Sequence, residues 1–336
     1  MKPNVLVTGG SGFIGTHVLK LLLRQGIDVV VYDVADGGDR WRQLLDAPAD
    51  NINFVRGDLN DAALAQVLDE HSISHIIHLA AWLTPDCQRD PIRGCEINVL
   101  GLMRLFEAMR ERPDQIKSLT YASSFAVRGP DDLSDETPGF VEGTTFYGAF
   151  KRAGELIARQ YWMHFGLPSV GLRPCVVYGP GRETGLSAAP TMAARAIAWN
   201  EDYTFPFSGE SRFEFVEDTA RAFVRSALEI EGGCYALNLP GTHASVEKII
   251  QVLTSSQPDS NSRLSVDGPP LPYSVDAAQE SIEQLFPDWK STSLQDGLSQ
   301  TVDFYRRAAW EGQNNSRPLW RNKESPPRAT EYFKGV

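Results

Sequence analysis

A tyrosine and a lysine stand four positions apart in the stretch FYGAFKRAG, as Tyr147 and Lys151. Apolar residues recur around them at three- and four-residue spacing, which predicts a helix over residues 147–165, and residues four apart share one helix face. A free phenol has a pKa of about 10. An adjacent ammonium stabilises the phenolate, so the pair can exchange a proton with an alcohol near neutral pH. An isolated pair of this kind is more often a packed tyrosine beside a solvated lysine.

The dipeptide Ser123-Ser124 supplies a third group with which that pair can work. It follows the predicted strand at 118–122, and ligands of open parallel sheets bind at the carboxyl ends of the strands. A hydroxyl at this place can orient a substrate oxygen. Hydroxyl, phenol and ammonium in this order favour acid/base chemistry over an ordinary helix surface.

The stretch TGGSGFIG at residues 8–15 has the composition of a phosphate-binding loop. It follows a predicted strand at 5–8 and opens a predicted helix at 13–24. Gly9, Gly12 and Gly15 allow a tight turn and a close approach of the backbone to a pyrophosphate, which the N-terminus of a helix attracts. The sequence therefore predicts a dinucleotide cofactor.

Asp33 ends the second predicted strand, where a carboxylate can accept the ribose hydroxyls of NAD. It would repel the additional phosphate of NADP, so the sequence favours NAD. Arg40 and Arg42 weaken this preference because a guanidinium can bind that phosphate.

The elements that must position these groups alternate along the first half of the chain. Such alternation is typical of β-α-β units and predicts an α/β fold with a Rossmann-like, doubly wound parallel sheet. The dinucleotide-binding domain is expected at 1–174 with returning segments, a smaller irregular substrate lobe at 175–310, and an extended polar tail at 311–336. The predicted strands are 5–8, 28–33, 53–56, 75–79, 118–122 and 169–173, and the predicted helices are 13–24, 61–70, 91–111, 147–165, 189–199 and 217–228.

Composition narrows the class of protein. The 336 residues carry a net charge of −11, which argues against nucleic-acid and anionic-membrane partners because both would repel an acidic surface. No apolar run approaches the length of a membrane span. The cysteines show neither a metal-binding nor a disulfide pattern, so we expect a cytoplasmic protein; they are Cys87, Cys95, Cys175 and Cys234.

Histidines cluster in the stretch HSISHIIH, but the pattern does not predict a metal site. His75 and His78 are three apart on a predicted strand and so face opposite sides of the sheet. Cys175, after Arg173-Pro174, has no neighbouring base in the sequence, so we interpret it as a packing residue rather than a nucleophile.

Taken together, these motifs resemble the extended short-chain dehydrogenases/reductases, also called the NAD-dependent epimerase/dehydratase family. The similarity extends from residue 4 to about residue 230. Besides the groups named above, it includes Asp58-Leu59, His78-Leu79-Ala80-Ala81, Asn98 and the stretch RPCVVYGPGR at 173–182.

The resemblance implies that Ser124, Tyr147 and Lys151 are the catalytic set and that Lys151 also holds the nicotinamide ribose. It implies adenine contacts from Asp58 and Leu59, and a homodimer formed through the helices at 91–111 and 147–165. The other implied cofactor contacts are Gly9, Gly12, Phe13, Ile14, Gly15, Asp33, Leu79, Ala80, Ala81, Asn98, Pro174 and Val176.

Three reactions are open to such a family. Dehydration needs an acid and a base after the catalytic hydroxyl, but this chain has Phe125 and Ala126 there. Nucleotide-sugar 4-epimerases usually carry an Arg-Asp-Phe motif in the second lobe. This chain has Ser211-Arg212-Phe213-Glu214, which would weaken phosphate binding. The sequence therefore favours an NAD-dependent oxidoreductase acting on a secondary hydroxyl or ketone of a small sugar-like substrate, such as a sugar, sugar acid or lactone.

Two alternatives stay open, namely a nucleotide-sugar 4-epimerase with tightly bound NAD and a non-catalytic NAD-sensing protein. The complete Ser-Tyr-Lys set disfavours the second. A small polar substrate would need anchoring groups, and a surface ion-pair role is nearly as good an interpretation of the arginines among them. The candidates are Thr84, Ser123, Arg128, Arg182, Ser187 and Arg212.

Overall fold

The computed structural model describes residues 2–45, 52–128, 145–257, 260–271 and 280–314, the last six of these by their backbone alone. Two compact units share the chain. The first comprises Met1–Pro174, Thr219–Leu239 and Ala278–Leu285, and the second comprises Cys175–Asp218, Pro240–Ala277 and Phe286–Val336.

A seven-stranded parallel sheet is the centre of the first unit. Its strands are β1 (Asn4–Thr8), β2 (Asp28–Asp33), β3 (Asn53–Arg56), β4 (His75–His78), β5 (Ser118–Ala122), β6 (Ser169–Arg173) and β10 (Cys234–Asn238). Their order is β10-β6-β5-β4-β1-β2-β3, so the winding direction changes between β1 and β4, which is the place where such sheets bind ligands. The expectation of a doubly wound parallel sheet is confirmed.

Several helices of this unit bury side chains in the core around the sheet. Phe106 and Tyr161, from two of these helices, stack with their ring centroids 4.7 Å apart, inside a core that also contains Leu6, Ile76 and Leu119 from the strands. The helices are α1 (Phe13–Arg24), α2 (Gly38–Leu44), α3 (Ala63–Glu70), α4 (Thr84–Arg89), α5 (Pro91–Cys95), α6 (Gly101–Glu111), α7 (Phe146–Phe165) and α9 (Val216–Glu229), whose first three residues belong to the second unit.

The prediction of one continuous helix over 91–111 was wrong. α5 and α6 are separated by a π-helical turn at Glu96–Leu100. Such a wide turn inserts one residue and rotates the side chains after it, and it is found often at functional sites. Here it carries Asn98 into the interior, where its amide is fully engaged.

The second unit has its own sheet and its own aromatic core. β11 (Thr242–Ser245), β9 (Glu210–Phe215) and β7 (Val176–Tyr178) form a three-stranded sheet, and β8 (Tyr203–Phe205) pairs with β12 (Leu264–Val266). Around them lie α8 (Ala189–Trp199), α10 (Val246–Ser256) and α11 (Leu294–Asn314). The core includes Phe205, Phe207, Phe213 and Phe215.

α11 continues to Asn314, past the predicted start of the extended tail at residue 311. The rest of that predicted tail, 315–336, lies outside the described residues. Within the part of the chain that is described, no helix combines the length and the apolar composition needed to cross a membrane.

Candidate active site

The glycine loop lies directly against the segment that follows β4. Gly9 has a φ of 71°, and a Cβ on it would lie 2.5 Å from the backbone nitrogen of Ala80. A Cβ on Gly15 would lie 2.2 Å from the carbonyl oxygen of Gly9. Only glycine fits both positions. Gly12 stands before α1, and no side chain caps that helix, so the loop forms the open backbone cradle that a pyrophosphate needs.

Asp33 lies at the edge of this cradle. Its Oδ2 accepts a hydrogen bond from the backbone N–H of Ser11 at 3.1 Å. The guanidinium of Arg40 donates to the carbonyl oxygen of the same Ser11 at 2.8 Å. Arg42 is paired with Asp39 on the exposed side of α2. The Asp33 carboxylate and the Arg40 guanidinium therefore both bind the backbone of Ser11.

Asp58 and Leu59, for which the resemblance implies adenine contacts, lie just after β3. Asp58 accepts from the backbone N–H of Asn60 at 2.9 Å and from Arg93 at 2.6 Å. Burial raises the pKa of Asp58, but these two donors outweigh it, so the pKa lies below its usual value. Leu59 is buried in the core beside Gly101, so its side chain holds the fold.

His78 is buried and neutral. Its Nδ1 lies 2.7 Å from the hydroxyl of Thr8 on the neighbouring strand. Burial, together with the positive charge of Lys151, lowers its pKa to about 3. His75 instead contacts Ser74. Among the residues described, no three histidine, cysteine or acidic side chains are grouped to hold a metal ion.

Asn98 shapes the segment after Leu79-Ala80-Ala81. Its Oδ1 accepts from the backbone N–H of Trp82 at 3.1 Å, and its Nδ2 donates to the carbonyl oxygen of the same residue at 3.0 Å. The amide thus pairs with Trp82 as a strand would. Nδ2 also lies 3.1 Å from the sulfur of Cys87. Asn98 therefore orders the wall of the cradle from inside, a role that sequence reasoning had not identified.

Tyr147 and Lys151 do share a face of α7. The Nζ of Lys151 lies 5.6 Å from the centre of the Tyr147 ring and donates to the carbonyl oxygen of Ala122 at 2.6 Å. Burial lowers the pKa of Lys151 to about 8. A lysine near its pKa at neutral pH holds its proton less tightly than an exposed one, which suits a group that works with a phenol.

The segment that follows Ser124 is in close contact with the start of α7. The hydroxyl oxygen of Ser124 accepts from the backbone N–H of Ala126 at 3.2 Å. A Cβ on Gly148 would lie only 2.2 Å from the carbonyl oxygen of Ala126. The glycine that follows Tyr147 thus lets the helix approach the serine segment, and the three candidate catalytic residues come from two elements in direct contact.

A buried ion pair behind these groups was missed by the sequence analysis. Arg173, the last residue of β6, binds Glu155 of α7 through two hydrogen bonds of 2.7 and 2.8 Å. Ser123, predicted as a substrate contact, is buried and donates its hydroxyl to Glu155 at 2.6 Å. The available signal was a glutamate on the face of Tyr147 and Lys151, because a charge on a buried face needs a partner.

The other candidates of the first unit lie near the ends of strands. Thr84 is half-buried at the first position of α4. The carbonyl oxygen of Pro174 accepts from the backbone N–H of Phe125, the residue after Ser124, at 2.9 Å. The guanidinium of Arg128 lies 3.9 Å from the carboxylate of Glu280.

The remaining candidates belong to the second unit. Arg182 donates to the hydroxyl of Ser187 at 2.8 Å, so these two predicted substrate residues contact each other. The side chain of Val176, predicted near the cofactor, is fully buried in the core of this unit. It therefore offers a cofactor no exposed side-chain surface.

Arg212 stands two residues before a buried glutamate on β9. Both oxygens of Glu214 accept from the backbone N–H of Cys175, at 3.1 and 3.2 Å. Burial raises the pKa of Glu214 to about 8, although this N–H and Arg212 oppose the shift. Burial and the charge of Glu214 raise the pKa of the Cys175 thiol to about 12, so it is not a thiolate. A Cβ on Gly241 would collide with both Arg212 and Glu214.

A glycine cradle at the switch point of a parallel sheet, with a serine, a tyrosine and a buried lysine nearby, defines a nicotinamide-dependent enzyme of the extended short-chain dehydrogenase type. Residues 5–235 match the family described as "NAD dependent epimerase/dehydratase family". The chain belongs to this family.

Relatives in sequence include two UDP-sugar 4-epimerases. UDP-glucuronate 4-epimerase 3 of Arabidopsis thaliana is 36% identical over 189 residues, which are 53% of this chain and 43% of the relative. The match thus spans less than half of that plant enzyme. UDP-glucose 4-epimerase of Mycolicibacterium smegmatis is 31% identical over 237 residues, 68% of this chain and 74% of the relative.

Solved structures agree on the fold. UDP-glucose 4-epimerase of Thermus thermophilus, solved in complex with NAD, has a TM-score of 0.73 at 26% identity and covers 90% of this chain and 99% of its own. A partial consensus L-threonine 3-dehydrogenase has a TM-score of 0.76 at 21% identity and covers 91% of this chain and 100% of its own. The second likeness concerns the fold alone.

Proposed function

We propose that this protein is an NAD-dependent dehydrogenase or reductase that interconverts a secondary alcohol and a ketone on a small sugar-like substrate, such as a sugar, sugar acid or lactone. The observation that carries the proposal is the buried Lys151 beside Tyr147. A lysine removed from water and placed against a phenol is costly for a fold and useful for moving a proton.

The residues have separable roles in this chemistry. Ser124 orients the substrate oxygen through its hydroxyl. Tyr147 moves the proton between its phenol oxygen and that substrate oxygen, and Lys151 stabilises the phenolate. When NAD is bound in the glycine cradle, its nicotinamide supplies or accepts the hydride. The carbonyl oxygen of Ala122 holds Lys151 in place, which also fits a lysine that holds a ribose.

The second unit favours a substrate without a diphosphate. In the stretch that resembles the phosphate-binding motif of nucleotide-sugar enzymes, Arg212 is followed by the buried carboxyl of Glu214. A negative charge beside the arginine opposes a diphosphate, and a protonated Glu214 leaves only one cation in that stretch. The paired Arg182 and Ser187 suit the carboxylate of a sugar acid, because a guanidinium binds carboxylates well.

A nucleotide-sugar 4-epimerase is the second candidate. The likeness to UDP-sugar 4-epimerases in sequence favours it. In that case Arg212 would be part of a rearranged phosphate site, and NAD would stay bound through the turnover.

The cofactor we propose is NAD rather than NADP. Asp33 is held at the loop by Ser11, with its carboxylate where the 2′-phosphate of NADP would be repelled. Arg40 reduces this preference, because its guanidinium contacts the same loop residue.

We also propose a cytoplasmic homodimer. Its four cysteines are free thiols, which suits a reducing compartment. Large apolar side chains are exposed on the segment from α5 to α7, the region expected at the dimer contact, and burying them against a second copy would be favourable. They are Ile92, Leu100, Phe146, Leu156, Trp162, Met163 and Phe165.

The test is a substrate panel followed at 340 nm with NAD. Aldonic acids, uronic acids and free sugars are assayed for NADH, while UDP- and dTDP-sugars are assayed in parallel for epimerised product. Steady NADH formation with a sugar or sugar acid supports the dehydrogenase. Epimerised nucleotide sugar without net NADH replaces it with the second candidate.

One variant tests the chemistry whatever the substrate. Tyr147→Phe should leave NAD binding within about threefold while lowering kcat by roughly 10²- to 10⁴-fold, the range that general acid/base catalysis supplies. Turnover within a few-fold of the wild type would show that the phenol does not move the proton.

A further inference from the structure

Glu155 is a buried carboxylate that the proposed chemistry does not use. It lies four residues after Lys151 and eight after Tyr147 on α7, so the three side chains share one face of the helix. Only 4% of its side chain is exposed. It accepts hydrogen bonds from the hydroxyl of Ser123 at 2.6 Å, Nε of Arg173 at 2.7 Å, Nη2 of Arg173 at 2.8 Å and Nη1 of Arg152 at 3.2 Å.

Two of the contacts between α7 and the end of β5 involve successive residues. Lys151 donates to the carbonyl oxygen of Ala122, and Glu155 accepts from the hydroxyl of Ser123. Ser124 comes next in the chain. Two successive turns of the helix therefore hydrogen-bond the two residues that precede the candidate catalytic serine.

Arg173, the ion-pair partner of Glu155, makes further contacts at the carboxyl ends of neighbouring strands. Arg173 ends β6, the strand next to β5, and its Nη1 also donates to Glu280 at 2.9 Å. The carbonyl oxygen of Glu280 accepts from the backbone N–H of Asn238 at the end of β10. Glu155 thus connects α7 to the carboxyl ends of three neighbouring strands, where the candidate catalytic serine segment begins.

The hydrogen bonds of Glu155 constrain the local geometry more than stability alone would require. A buried ion pair gains little over apolar side chains of the same volume, because taking two charges out of water offsets their attraction. Apolar packing, however, would leave the rotation of the Ser123 hydroxyl and the path of the following backbone undetermined. The directional bond fixes both.

We propose that Glu155 is a positioning residue, which through Ser123 fixes the backbone that presents Ser124 to Tyr147 and Lys151. The inference rests on the proposed acid/base function of those three residues. It assigns to Ser123 an internal role in place of the substrate contact expected from the sequence.

The test compares two serines at opposite ends of the same strand, β5. Ser123→Ala removes the donor to Glu155 and leaves the ion pair with Arg173 in place. Ser118→Ala is the matched control, because the Ser118 hydroxyl is also buried and donates at 2.7 Å, but to Ala227 at the other end of β5. Both variants lose one buried hydrogen bond, and Ser123→Ala should lose the more stability because its acceptor is a carboxylate.

The first readout needs no substrate. Amide hydrogen exchange over residues 122–128 of the NAD-bound enzyme should accelerate about tenfold in Ser123→Ala and stay unchanged in Ser118→Ala. Equal exchange in the two variants would overturn the proposal. Because this readout is independent of turnover, it decides the positioning role even if Tyr147→Phe contradicts the proposed function.

The second readout is a double-mutant cycle on kcat with the best substrate of the panel. Ser123→Ala and Glu155→Gln should each lower kcat about tenfold with KM changed less than twofold, and the double variant should be no worse than Glu155→Gln. Thermal melting verifies that each variant is folded. Independent, multiplying effects on kcat would mean that Glu155 does not act through Ser123.

Discussion

The close approach of Gly148 to Ala126 sets the distance between α7 and the segment that contains Ser124. A Cβ at position 148 would lie 2.2 Å from the carbonyl oxygen of Ala126, whereas a carbon and an oxygen need about 3.3 Å. Gly148→Ala must therefore move α7 and the serine segment apart by roughly 1 Å. A displacement of this size between reacting groups can reduce the rate about 10²-fold.

We expect Gly148→Ala to lower kcat about 10²-fold while the Kd for NADH changes less than fivefold, because the glycine loop lies on other elements. Stability should change little, since alanine is better than glycine in a helix by about 1 kcal/mol and the overpacking costs about 1–3 kcal/mol. Steady-state kinetics with the best substrate of the panel, fluorescence titration with NADH and thermal melting measure the three quantities.

Gly154→Ala on the same helix is the control. Its Cβ would lie 3.0 Å from the tip of the flexible Leu102 side chain, which can move aside. This variant should keep kcat within about twofold. If Gly148→Ala keeps full activity, or if both variants lose it equally, the close approach at Ala126 does not set the distance between Ser124 and Tyr147.

Three further substitutions test other parts of the structure. Asp33→Asn should improve NADPH binding relative to NADH at least tenfold, since it removes a repelling charge beside Arg40; fluorescence titration measures this, and Asp36→Asn should have no such effect. The pKa of Glu214 is about 8 in the folded protein and 4.5 for an ordinary glutamate. Between these two pH values the folded state binds the proton and the unfolded state does not, so stability falls as pH rises from about 5 to 8. Glu214→Gln should abolish that fall in Tm and exposed Glu217→Gln should retain it; identical pH profiles for wild type and Glu214→Gln would refute the buried titration. Finally, the Tyr121 hydroxyl is buried with no hydrogen-bond partner in the described part of the chain, so Tyr121→Phe should keep or raise Tm. Tyr161→Phe, which loses a 2.7 Å bond to Glu107, should cost about 1 kcal/mol; a larger loss for Tyr121→Phe would mean that its hydroxyl has a partner.

The first half of the fold was predictable because its sequence signals are local. β2, β3, β5, β6 and α1 coincide with the predicted ranges, since each is a run of one periodicity bounded by turn residues. In the second unit, α8 also coincides with its predicted range. The π-helical turn at 96–100 was not predictable in this way. It accompanies the pairing of the Asn98 amide with Trp82, a contact that the apolar pattern of residues 91–111 does not encode.

The candidate active site likewise has a part that was predictable from local sequence signals and a part that was not. The glycine cradle and the Tyr147–Lys151 pair follow from spacing along single elements. The partners that hold them depend on which strand ends meet, so Ala122 beside Lys151 and Arg173 beside Glu155 required the structure. Leu59 and Val176, which the resemblance places at the cofactor, have buried side chains, and their cofactor contacts stay predictions.

The sheet of the first unit is completed late in the sequence. β6 pairs on one side with β5 and on the other with β10, which begins at Cys234, and the bridge between Asn238 and Ser281 lies later still. A chain growing from a ribosome therefore carries β6 as an unpaired edge while the whole of Cys175–Asp218 is made. Open edges recruit other strands, and late long-range pairing slows folding. Synthesis of this enzyme thus has a vulnerable interval, which ends only when β10 has emerged, and chaperones that cover exposed strands would act during that interval.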